Sequence, residues 1–119
     1  MIENTIKDNL LEEKFIYKDN VYCDSIDKEY TQNFGKQWRD FSKTQIDEFN
    51  DSLISKKLLD GVIFNEENYL KDKIILEVGC GSGRFTQYLS KIAKLLVVND
   101  MSDAIFFNQY LSKKNVIAI

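Results

Sequence analysis

The sequence predicts an α/β protein, and three observations carry that prediction. From Lys73 onward, short apolar runs alternate with helix-like stretches in the order strand, helix, strand, helix, strand. The first run, Ile74-Ile-Leu-Glu-Val78, leads directly into a glycine-rich turn, Gly79-Cys-Gly-Ser-Gly83. The second, Leu95-Leu-Val-Val-Asn99, ends on an acid, Asp100. Alternation of this kind is the signature of βαβ units, which build a parallel sheet through right-handed crossovers.

The elements follow in chain order. Residues 1–14 read as a short amphipathic helix, because Ile2, Ile6, Leu10 and Leu11 recur at roughly helical spacing. Phe15-Ile-Tyr17 and Val21-Tyr-Cys23, joined by Lys-Asp-Asn, read as a small hairpin. From Glu29 to Phe41 the aromatics Tyr30, Phe34, Trp38 and Phe41 fall at helical steps and stack on one face. Asn50-Asp-Ser52 supplies capping side chains for a short helix ended by Gly61, and Asn65–Leu70 reads as another capped turn. The core strands are Ile74–Val78, Leu95–Asn99 and Val116–Ile119. Its helices span about Gly83–Ala93 and Ser102–Lys113, with Ser102 as an N-cap. Two regions result, an N-terminal, mostly helical extension over residues 1–72 and a core over 73–119.

Composition narrows the function classes. The 119 residues suit one domain, and 44% hydrophobic with 29% charged residues describe a globular chain. A net charge of -3 and a pI near 5.0 argue against a nucleic-acid-binding surface, which needs a basic patch. No apolar run is long enough to span a membrane, and the polar start MIENTIKDNLLEEK lacks the core of a signal peptide, so a cytoplasmic location is expected. Cys23 and Cys80 form neither a metal-ligand pattern nor a disulfide framework. With no histidine, the chain has no imidazole base and no His-ligated metal.

The glycine turn carries the chemistry. Gly79, Gly81 and Gly83 supply backbone freedom where a Cβ would block a ligand or strain the turn, and the following helix start presents free N–H groups. Asp100, ending the second strand, is placed to accept hydrogen bonds from a ribose diol. Glu77 is a carboxylate inside an apolar strand and needs a partner, either a cationic ligand group or backbone amides. A dinucleotide fingerprint reads G-x-G-x-x-G, whereas the order here is G-x-G-x-G with Arg84 at the third-glycine position. That spacing, and a carboxylate near any pyrophosphate, weigh against NAD or FAD.

The stretch Ile75–Phe85, with Val97-Val-Asn-Asp-Met-Ser102 after it, resembles the first and second motifs of class I S-adenosylmethionine-dependent methyltransferases. The resemblance implies a partial Rossmann-like fold of three parallel strands with crossover helices. It implies S-adenosyl-L-methionine as cofactor, with Gly79, Cys80, Gly81 and Gly83 beneath its methionine part. Glu77 would position the amino-acid end, Asp100 would bind the ribose hydroxyls, and Met101 would border the adenine. Upstream, Phe34-Gly-Lys-Gln-Trp-Arg-Asp-Phe41 resembles a segment preceding the core in a bacterial subgroup that modifies sugars, lipids or small metabolites. The implied acceptor is therefore a small molecule, a sugar or a lipid-linked group rather than a nucleic acid.

The family's sheet has seven strands, and this sequence reaches the third. The expectation is an N-terminal fragment, inactive alone, whose strand order 3-2-1 leaves one edge of Ile74–Val78 unpaired and open to self-association. The rival readings are a nicotinamide or flavin oxidoreductase fragment and a non-catalytic binding module. Methyl transfer needs a base only when the acceptor must lose a proton, and no residue here is identified as one. Cys80 reads as a small packing residue, Arg84 as a surface or helix-start residue, and Trp38 as core. Tyr17, Tyr22 and Tyr30 are candidates for lining a substrate pocket, with nothing in the sequence to select them.

Overall fold

The computed structural model describes residues 15–24, 39–63 and 67–119, together with residues 4, 36 and 37. The helix expected over residues 1–14 and most of the aromatic stripe, including Tyr30, Phe34 and Trp38, lie outside the described residues. Lys36, Gln37 and Arg39–Phe41 are helical, in line with the end of that stripe.

A five-stranded mixed sheet organises the chain. β1 (Ile16–Lys18) and β2 (Val21–Cys23) form an antiparallel hairpin, whose two turn residues Asp19 and Asn20 both adopt positive φ, at 49° and 66°. Such a turn twists in the same sense as its strands, and Asp and Asn tolerate it. β3 (Ile74–Val78), β4 (Leu95–Asn99) and β5 (Val116–Ala118) are mutually parallel, and the order across the sheet is β1-β2-β5-β4-β3. The expected core strands and their 3-2-1 order are therefore present. The hairpin, placed by the sequence in the extension, extends the same sheet through a parallel bridge between Val21 and Ala118.

Among the described residues, α1 (Asp47–Asn50), α2 (Ile54–Val62) and α3 (Glu67–Leu70) follow the helical stretch at Arg39–Phe41 and lead into the core. The start of α2 differs from expectation. Its N-cap is Leu53, which makes no side-chain cap bond, and Asn50, Asp51 and Ser52 do not fill that role. The cap comes instead from Asp47 in α1, whose carboxylate accepts the amides of Ser55 at 3.0 Å and Lys56 at 2.9 Å. Asp51 ends α1 in the left-handed region, and Asn50 Nδ2 donates to the carbonyls of Lys43, Thr44 and Ile46. Gly61 lies inside α2 rather than ending it; the helix closes where the Ile63 amide meets the Leu59 carbonyl.

The crossover from β3 to β4 runs through α4 (Thr86–Ile92), which begins later than the expected Gly83 because the positive-φ glycines hold the preceding residues in turns. The crossover from β4 to β5 is not the single helix expected over Ser102–Lys113. It is two 3₁₀ turns, Asp103–Phe107 and Gln109–Ser112, interrupted at Asn108. Ser102 does cap the first, accepting the Ala104 amide; the Asn108 side chain caps the second by accepting the Tyr110 amide. An isoleucine and two phenylalanines in succession are poor helix formers, and an Asn side chain that bonds the backbone locally competes with an α-helix.

Strand alternation sorts the core into two sides. Leu96 and Val98 of β4 meet Val116 and Ala118 of β5, and Leu89 and Ala93 of α4, in the main cluster. Leu95 and Ile117 point the other way and pack with Tyr22. β3 closes one edge of the sheet with an uneven burial. Glu77 is buried on the α4 side, while Ile74, Leu76 and Val78 are 50%, 64% and 73% exposed.

Candidate functional site

The site is built where β3 and β4 end side by side, since their register sets Val78 opposite Asn99. Chain direction therefore delivers the glycine loop and Asp100 to the same end of the sheet. Gly79, Gly81 and Gly83 adopt φ of 72°, 51° and 106°, a region L side chains rarely enter. A Cβ at Gly79 or Gly81 would meet nothing within 4 Å, so these two residues border open space. Gly83 differs: a Cβ there would stand 2.7 Å from Asn108 Oδ1 and 2.9 Å from Tyr110 Cδ2. Its glycine is required both by conformation and by close packing against the second crossover.

The loop is fastened to β4 by its backbone. The amides of Gly79 and Cys80 both reach the Asn99 carbonyl at 2.9 Å, and the Gly81 amide donates to Asp100 Oδ2 at 2.8 Å. Asp100 Oδ1 accepts the Ser102 amide at 2.8 Å and the Ser102 hydroxyl at 2.7 Å. The acid ending the second strand thus ties the glycine loop to the start of the next crossover. Met101, beside it, is 76% exposed.

Glu77 finds its partner in a residue the sequence reading did not select. Thr86 Oγ1 donates to Glu77 Oε2 at 2.8 Å and in turn accepts from Asn108 Nδ2 at 3.1 Å. Burial pushes the Glu77 carboxyl up to about 7, the Thr86 hydrogen bonds oppose that rise, and the nearby Asp100 charge adds to it. Glu77 therefore titrates near neutrality. A Thr in the first turn of the helix after the glycine loop was a usable signal for this partner. Asn108 carried none, because only the fold brings it across to Thr86.

Cys80 is buried in the main core, and burial pushes its thiol well above the usual range, with the Glu77 and Asp100 charges adding to the effect. It packs, as the sequence suggested, and is not activated as a nucleophile. Arg84 is half-buried rather than at the surface: its Nε donates to Ser55 Oγ of α2 at 3.1 Å. Glu77, Gly79, Cys80, Gly81, Gly83, Asp100 and Met101 accordingly all belong to the single structural unit formed by the ends of β3 and β4.

Tyr17 and Tyr22 line a different hollow, of about 400 Å³, together with Asn20, Lys113 and Lys114. It runs along β5, whose three residues all line it, and β4 lies between β5 and the strand that leads into the glycine loop. None of the residues of the glycine-loop site lines it. Tyr30 is outside the described residues. Among the described residues no cluster of His, Cys, Asp or Glu is arranged to hold a metal ion, and no helix is long and apolar enough to cross a membrane. No protein-family model, curated protein or solved structure matches the chain.

Proposed function

We propose that the ends of β3 and β4 hold the methionine and ribose portion of S-adenosyl-L-methionine in a Rossmann-like, methyltransferase-type site. The observation carrying this reading is the loop itself: three positive-φ glycines, two of them facing open space, held between a buried carboxylate and a strand-end carboxylate. Open space over Gly79 and Gly81 leaves room for a ligand to approach the backbone closely. Asp100 offers about four acceptor positions, three of which the protein uses, leaving about one for a hydroxyl donor. Glu77, neutral or charged near pH 7, suits an ammonium group, whose approach would draw the carboxylate into its charged form.

The cofactor, when bound, supplies an electrophilic methyl group. The chain's own contribution is to bind and orient, because displacement at that methyl depends chiefly on alignment of the acceptor. No described residue is assigned as a base. The acceptor expected from the sequence is a small molecule, a sugar or a lipid-linked group.

Titration calorimetry tests this reading. S-adenosylhomocysteine is expected to bind, and NADH is not. Binding of NADH without S-adenosylhomocysteine would overturn it in favour of an oxidoreductase, for which the G-x-G-x-G spacing is unsuited.

A further inference from the structure

Besides its bonds to β4, the glycine loop and the helix after it have a second set of anchors, which come from residues 42–56. Ser82, buried between two of the glycines, donates its hydroxyl to the Ser42 carbonyl at 2.7 Å. Arg84 Nε, at the loop's exit, donates to Ser55 Oγ at 3.1 Å, and the Ser55 hydroxyl in turn donates to the Gln45 carbonyl at 2.8 Å. One turn further on, Tyr88 Oη donates to Asp47 Oδ2 at 2.6 Å. Asp47 is the knot of this segment, since it also holds the Ser55 and Lys56 amides and the Ser52 hydroxyl. Its burial, at 3% exposure, is matched by four hydrogen-bond donors, so the segment docks in one arrangement rather than lying loosely on the surface.

We infer that residues 42–56 are a strap that sets the conformation of the glycine loop, with Ser82 and Arg84 as positioning residues that govern ligand affinity without touching the ligand. The inference rests on the reading of the loop as a nucleoside-cofactor site. β4 fixes the loop through Asn99 and Asp100 at Gly79, Cys80 and Gly81, and the strap fixes it at Ser82 and Arg84. Three left-handed glycines are costly to order, and a loop ordered before binding spares the ligand that cost. Docking of the strap and occupancy of the loop are then coupled, each favouring the other by the same factor.

The test compares Ser82→Ala with Asn115→Ala in the full chain. Asn115 bonds the Ser90 and Ala93 carbonyls at the far end of α4 and touches neither loop nor strap, so it reports a loss of stability alone. Amide hydrogen exchange is read over residues 79–84 and 42–56, and S-adenosylhomocysteine affinity by calorimetry. Ser82→Ala is expected to speed exchange in both segments and to raise Kd about five- to tenfold, the worth of one buried hydrogen bond. Asn115→Ala is expected to lower Tm while leaving Kd within about twofold. Unchanged exchange over 79–84 in Ser82→Ala, or an equal rise in Kd for both variants, would overturn the strap. If the unmodified chain binds no S-adenosylhomocysteine, the cofactor reading fails, and the exchange measurement still decides the strap.

Discussion

Asp100 accepts the amide of Gly81 at 2.8 Å, nineteen residues back along the chain, and so joins the end of β4 to the middle of the glycine loop. The same carboxylate holds the amide and hydroxyl of Ser102, so one side chain fixes both the loop and the first residue of the next crossover. An acid at this position is a structural fastener whatever ligand it also meets.

Asp100→Ala is expected to destabilise the chain by about 1–3 kcal/mol, because the Gly81 and Ser102 amides lose their acceptor. Asp100→Asn, which keeps one acceptor oxygen, should lose less. Urea unfolding with a common m-value measures both. Equal stability of Asp100→Ala and the unmodified chain would contradict the fastening role.

The two buried carboxylates set opposite pH dependences. The Glu77 carboxyl rises from 4.5 to about 7 on folding, so its contribution to stability is complete below about pH 4.5 and is lost as pH rises through 7. The loss amounts to about 3 kcal/mol, because each tenfold change in proton affinity is worth about 1.4 kcal/mol. Asp47 behaves in the reverse sense. Burial raises it, but the hydrogen bonds from Tyr88, Ser55, Lys56 and Ser52 outweigh that and lower it from 3.8 to about 2. Its contribution is present above 3.8 and lost as pH falls through 2. Stability from these two groups is therefore greatest near pH 4. Glu77→Gln should remove the alkaline decline, making the variant more stable than the parent at pH 8. Denaturant midpoints measured from pH 3 to pH 8 check the sign, and a parent that gains stability between pH 5 and pH 8 would refute the Glu77 assignment.

Two glycines should respond oppositely to alanine. At Gly83 the φ of 106° and the contacts with Asn108 and Tyr110 predict a loss of about 1–3 kcal/mol or more. At Gly61, inside α2 with nothing within 4 Å, the predicted change is a gain of up to about 1 kcal/mol. Thermal unfolding of the two variants separates a glycine the fold requires from one it merely tolerates.

The edge of the sheet at β3 predicts association. Among the described residues no strand pairs with its outer edge, and Ile74, Leu76 and Val78 are exposed along one face. An apolar strand edge of this kind accepts another strand. Light scattering on the 119-residue chain should show an apparent mass that climbs with concentration, and Leu76→Lys should suppress the climb. A monomer at every concentration would refute this.

The local chain chemistry was enough to predict the α/β class, the hairpin, the three core strands and the loop of left-handed glycines, while the strand order came from the family resemblance. Each local prediction rests on interactions within a short stretch: alternating apolar runs, a Lys-Asp-Asn connection, glycines where φ must be positive. The sequence also singled out Glu77, inside the first strand, and Asp100, closing the second. What those acids bond was decided only by the tertiary structure, because Thr86, itself held by Asn108, and the Gly81 amide reach them across separate elements. The same holds for α2, whose cap is Asp47 rather than its nearest polar neighbours, and for the second crossover, where Asn108 trades a helical turn for a contact with Thr86. Hydrogen bonds between distant elements leave no periodicity in a sequence. Both the environment of the glycine loop and the strap across it are formed by such bonds.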